Sequence, residues 1–130
     1  MTAYIRGYSP PCYWNLDGVL SAFALNIFLD GVRGADVGLR AKALVISQRV
    51  DGTAGTTTIE LFKKSPGGVE TSMGTVSLAF GSGTDSQAQF TAFASAAIRR
   101  IDPGYRLGIK LTAVQTGGED LSIGVFFGGP

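Results

Sequence analysis

The residue types that most often carry catalysis are thin in this 130-residue chain, which has no histidine and one cysteine, Cys12. Without histidine, Ser-His-Asp and Cys-His nucleophiles are excluded, as are the usual general base and the usual zinc or copper ligand. A phosphate-cradling loop is also missing. Gly31, Gly34 and Gly38 lie close together, but no G-x-G-x-x-G follows a strand and opens a helix. Paired carboxylates could run glycoside hydrolysis if held about 5–9 Å apart. The candidates are Asp17, Asp30, Asp36, Asp51, Glu60, Glu70, Asp85, Asp102, Glu119 and Asp120. Most fall in turns, where Asp caps the backbone locally. Turn oxygens near Asp85 or Glu119-Asp120 could hold calcium, yet no loop has the ligand spacing of an EF-hand. The expectation is no catalytic residue, no metal and no cofactor.

Binding chemistry is more visible. Tyr4, Tyr8, Tyr13 and Trp14 cluster ahead of residue 18, around Pro10-Pro11. Prolines favour an extended backbone, and Tyr and Trp bring large contact area with a polar tip. Residues 1–18 therefore read as an extended N-terminal arm ahead of a domain at 19–130. The four aromatics are its candidate partner-binding residues, and the competing reading is an ordinary first strand. Cys12, beside Tyr13 and Trp14, reads as a packed small hydrophobe. Tyr13 and Trp14 could also stack on a sugar ring.

The elements that must position these residues read as strands. Turn clusters stand at 51–55, 65–68, 81–85, 102–104 and 116–120, rich in Gly, Asp, Ser and Pro. Segments of period two lie between them. Tyr105, Leu107, Ile109, Leu111 and Ala113 make one inward row, and Leu121, Ile123, Val125 and Phe127 the next; the turn between them suggests a hairpin. Ile59 and Leu61, then Val76, Leu78 and Phe80, and Phe23, Leu25, Ile27 and Leu29 make further rows. Residues 39–50 fit one face only if a bulge shifts the register or both faces are covered. Residues 87–100 read as a strand. Phe90, Phe93, Ala94, Ala97 and Ile98 also fit a helix. The fold class expected is an all-β antiparallel sandwich, jelly-roll-like, of about eight strands.

Composition narrows the partners. Charged residues make up 16 % of the chain and apolar residues 45 %, with a net charge of +1. Average soluble domains carry about 25 % charge, so this surface suits a protein covered by neighbours. The only basic doublets are Lys63-Lys64 and Arg99-Arg100; no basic stripe points to nucleic acid. The apolar-rich stretch Val19 to Leu29 is broken by Ser21 and Asn26, too short for the roughly 20 residues of a membrane span. The first twenty residues lack the plan of a signal peptide. One cysteine fits assembly inside a cell.

Three passages carry a family resemblance: Gly55 to Lys64, where a Gly-Thr-rich turn runs into an alternating strand; Ile101-Asp102-Pro103-Gly104-Tyr105-Arg106-Leu107; and Gly117 to Ile123. From Val19 to Phe127 the chain resembles the small β-sandwich domains of tailed-phage virion proteins, found in head decoration proteins, head fibres and tail fibres. It departs from them at Tyr105, where Asp is usual. The resemblance implies a non-enzymatic virion protein assembled in the host cytoplasm. Its expected role is capsid decoration or cement, as a homotrimer on the major capsid protein or other virion proteins. The alternative is a receptor- or carbohydrate-binding module of a phage tail or appendage, with a surface glycan as partner.

Overall fold

The structure, a computed structural model, describes residues 2–6, 12–21, 25–29 and 39–128. The strands are β1 (Thr2–Arg6), β2 (Cys12–Val19), β3 (Leu25–Leu29), β4 (Leu39–Val50), β5 (Thr56–Lys64), β6 (Glu70–Ala79), β7 (Ser86–Phe90), β8 (Arg100–Ile101), β9 (Arg106–Ala113) and β10 (Glu119–Gly128). One short helix, α1 (Ala96–Arg99), precedes β8. All pairings are antiparallel. Sheet A runs β1-β2-β10-β4-β7, with β8 also on β4, and sheet B runs β3-β9-β5-β6.

The order is that of a jelly roll. Set β1 and β8 aside, and the outermost remaining strands pair, β2 with β10. The next pair inward is β3 with β9, then β4 with β7, then β5 with β6. This is one long hairpin folded over itself, with successive pairs laid alternately in sheets A and B. Double-sheet jelly rolls of eight strands are built this way. The expected all-β sandwich is what forms.

Period-two burial drives the layering. Trp14, Leu16, Leu44, Ile46, Leu121, Ile123 and Val125 come from sheet A. Ile59, Leu61, Val76, Leu78, Leu107, Ile109 and Leu111 come from sheet B, and all meet in one core. Each such aliphatic side chain stabilises the fold by roughly 1.5–3 kcal/mol.

Three local expectations change, and one left between two alternatives is decided. The rows at 107–111 and 121–125 are buried as read, but β9 and β10 are not a hairpin. They lie in different sheets, and residues 114–118 cross between them. In β4, the register against β10 shifts between Phe126 and Phe127, leaving Lys42 as the extra residue; the bulge, rather than two covered faces, explains the irregular pattern. The stretch 87–100 is neither one strand nor one helix. It ends β7 at Phe90, makes the one-turn helix α1, and enters β8. Ser95 Oγ caps that turn by accepting from Ile98 N at 3.1 Å. Phe80 lies just past the end of β6 and is exposed rather than inward. Phe23 and Tyr8 lie outside the described residues.

The loops after β2, β4, β6 and β9 gather at one end of the sandwich. Leu20 N donates to Gly118 O, Thr53 N to Thr116 O, and Phe80 N to Gly55 O. A buried amide network lies beneath. Gln48 Nε2 donates to Gln115 Oε1 and Val50 O, Thr57 Oγ1 to Gln48 Oε1, and Gln115 Nε2 to Leu78 O, at 2.7–2.8 Å. Gly52 N donates to Gln115 Oε1 and Gln115 N to Thr57 Oγ1. Gln48, Thr57 and Gln115 are at most 1 % exposed. Buried polar side chains satisfied in this way rigidify what they join.

Candidate functional site: an uncharged groove on sheet A

Alternation along β2 decides what the N-terminal aromatics can do. Trp14 and Leu16 point into the core, and Tyr13 stands on the opposite, outer face. Trp14 is fully buried, against the expectation that it anchors a partner. Its strand pairs with β10 through Trp14 and Ile123 and with β1 through Ile5. From Cys12 onward the expected arm is thus a strand of sheet A. Tyr4 lies opposite Asn15 in the β1–β2 register.

Tyr13 is 40 % exposed and Phe126 38 %. Their rings meet edge to face, 6.0 Å apart at 85°, the geometry that ring quadrupoles favour. Gly124 lies between Tyr13 on β2 and Val45 on β4 in register. A Cβ at Gly124 would stand 3.3 Å from the Tyr13 ring and 3.4 Å from Phe126. The missing side chain therefore leaves an open groove of about 190 Å³, lined by Tyr13, Val45, Ser47, Gln87, Ser122, Ile123, Gly124 and Phe126. None of these residues is charged. Ser122 Oγ donates to Asn15 Oδ1 at 2.9 Å. Asn15 Nδ2 is buried without a hydrogen-bond partner, a surplus donor of the kind that costs about 1–3 kcal/mol.

This face offers rings, hydroxyls and an amide for contact, and no nucleophile beside a base. Of the four predicted contact residues, only Tyr13 has a described side chain on it. Sequence reasoning missed Phe126, Gly124, Val45, Ser47 and Gln87. Their signal was parity, because each lies out of step with a buried row.

Five of the candidate carboxylates are engaged by other groups, and Asp30 and Asp36 lie outside the described residues. Asp51 accepts from Gly81 N at 3.0 Å and caps that loop. Asp102 pairs with Arg100 at 2.8 Å. Asp120 accepts from Gly18 N at 2.8 Å and pairs with Arg49, and these bonds, the backbone one foremost, hold its carboxyl below the usual carboxylate range. Glu60 and Glu70 flank Lys110 at 3.9 and 2.8 Å, so a lysine bridges them; the Glu70 bond raises the lysine. Among the described residues no group of three or more His, Cys, Asp or Glu could hold a metal ion. Lys63, inward on β5, donates to Ala97 O at 2.9 Å and Arg100 O at 2.6 Å, closing the end of α1; burial lowers its pKa.

No protein-family model matches the sequence, and no curated protein matches it. Two solved structures are similar over nearly the whole chain. A structure of infectious bursal disease virus, Gt strain, is 14 % identical over 97 % of this chain and 31 % of that chain, with a TM-score of 0.43. A structure of the Gx strain of the same virus is 14 % identical over 98 % and 33 %, with a TM-score of 0.37. The chain spans about a third of the length of the chains it is similar to.

Proposed function

We propose that this chain is a non-enzymatic structural protein of a virus particle, specifically a capsid decoration or cement protein that docks through the outer face of sheet A. The observation that carries the proposal is the uncharged Tyr13–Phe126 groove on a rigid jelly-roll sheet. Aromatic enrichment with depletion of charge is the mark of an interface core. The jelly-roll order supports the virion setting, since this architecture recurs in viral capsid domains. The three passages that resemble virion domains support it independently.

A second reading has an observation of its own. Ser47, Ser122 and Gln87 put hydroxyls and an amide beside the Tyr13 ring, which suits a sugar, and jelly rolls also serve as lectin domains. This is the receptor- or glycan-binding module of an appendage.

The test is to purify particles, measure the copy number of this chain, and repeat with Tyr13→Ser/Phe126→Ser. Decoration predicts hundreds of copies and loss of attachment in a variant that stays folded. A few copies per particle, with glycan binding lost in the same variant, would select the appendage reading. Absence from particles would overturn both.

A further inference from the structure

Sheet B ends at β6, which pairs with β5 on one side and with no strand among the described residues on the other. An unpaired edge is a template for another strand, and proteins blunt such edges with Lys, Pro or bulges. β6 has a bulge, where the register against β5 shifts past Met73. Beyond it, Thr75-Val76-Ser77-Leu78-Ala79 is regular and carries no charge and no proline. Thr75, Ser77 and Ala79 are exposed; Val76 and Leu78 are buried. Phe80 follows at 50 % exposure, among the most exposed large apolar residues described.

We propose that this edge pairs antiparallel with the same edge of a second copy, about a two-fold axis at Ser77. Antiparallel edges suit two-fold symmetry, because one patch then complements itself. With Ser77 opposite the partner's Ser77, Thr75 faces the partner's Ala79 and Val76 the partner's Leu78. Small uncharged residues oppose one another on the outer face, and apolar ones on the inner. No like charges meet, which would otherwise oppose pairing. Phe80 falls opposite the partner's Gly74. The Phe90 ring fills the place of that glycine's side chain, since a Cβ there would lie 2.2 Å from it. Phe90 is half-buried, so the exposed phenyl of one copy gains an aromatic neighbour on the other. The neutral run of the edge and this placement of Phe80 are what favour a second copy over an unrelated strand.

The experiment is sedimentation velocity of the full chain across concentration, with two variants at one exposed position. Ser77→Lys sets like charges opposite each other on the axis and should weaken the dimer at least tenfold, with far-UV circular dichroism unchanged. Ser77→Cys, in a Cys12→Ser background, should crosslink as a dimer when diamide oxidises the two thiols. A wild-type chain that stays monomeric to about 1 mM would overturn the proposal. So would an assembly, dimer or trimer, that Ser77→Lys leaves intact and Ser77→Cys does not crosslink. The two-fold pair is a different assembly from the trimer implied by resemblance, and sedimentation separates them.

Discussion

Replacing Trp14 by alanine tests whether the N-terminal aromatics are an anchor or part of the fold. Trp14 is the only tryptophan in the chain and is 0 % exposed. Burying a tryptophan removes about 150–250 Å² from water, and at about 25 cal/mol per Å² that is worth roughly 4–6 kcal/mol. Truncation of buried Trp to Ala costs about 3–5 kcal/mol, from a total near 5–15 kcal/mol for a domain. The variant should therefore be marginal or unfolded at 37 °C. Trp14→Phe makes a control, because the indole Nε1 is buried without a partner. Phenylalanine deletes that unsatisfied donor while losing volume, so its net cost should stay under about 2 kcal/mol. The assay is guanidinium unfolding followed by far-UV circular dichroism. In the wild type, blue-shifted tryptophan emission shielded from iodide should accompany it. An alanine variant within about 1 kcal/mol of wild type that has lost attachment would refute the core placement and restore the arm as anchor.

Three further outcomes follow from the loops and strand ends. Gln115→Met leaves Gly52 N and Leu78 O without their side-chain partners and should cost about 2–5 kcal/mol in denaturant unfolding; a change below 0.5 kcal/mol on the order of surface substitutions would deny the network a structural role. Gly52→Ala sets a methyl 2.6 Å from Gln115 Cβ and from Thr116 O, so it should destabilise the same end and speed exchange of the Thr53 amide. Asp120, held with a lowered pKa, contributes stability that is present above the unfolded carboxylate pKa and is lost as pH falls through the lower, folded value. Asp120→Asn tolerates the positive φ of 58° at this position, and should lower stability at neutral pH and flatten the acid limb of the stability profile. An unchanged acid limb would count against the Gly18–Asp120–Arg49 contact.

The sequence made faces legible and left partners hidden, for one physical reason. A two-residue period tells which side chains share a face, and Leu107, Ile109 and Leu111 are buried as that period requires. It says nothing about which strand lies alongside. β9 and β10 look like a hairpin because a Gly-rich turn joins two inward rows, yet in the jelly roll that turn crosses from one sheet to the other. Gln48, Thr57 and Gln115 were invisible for a related reason. Each is polar, so a binary pattern assigns it to the surface, and its burial depends on partners 9 to 67 residues away. Trp14 was legible in principle. Trp14 and Leu16 alternate with Tyr13, Asn15 and Asp17, which is a strand pattern, but Pro10-Pro11 and the density of aromatics pointed to an extended arm instead. The same parity that buries Trp14 exposes Tyr13 and, across β10, Phe126. The groove is thus a by-product of core packing plus one glycine at 124. Filling that position would close the groove without touching the core. Gly124→Ala, whose added methyl presses on the Tyr13 and Phe126 rings at 3.3–3.4 Å, should therefore weaken attachment by more than its small cost to the unfolding midpoint, and attachment that survives this substitution would move the docking surface elsewhere.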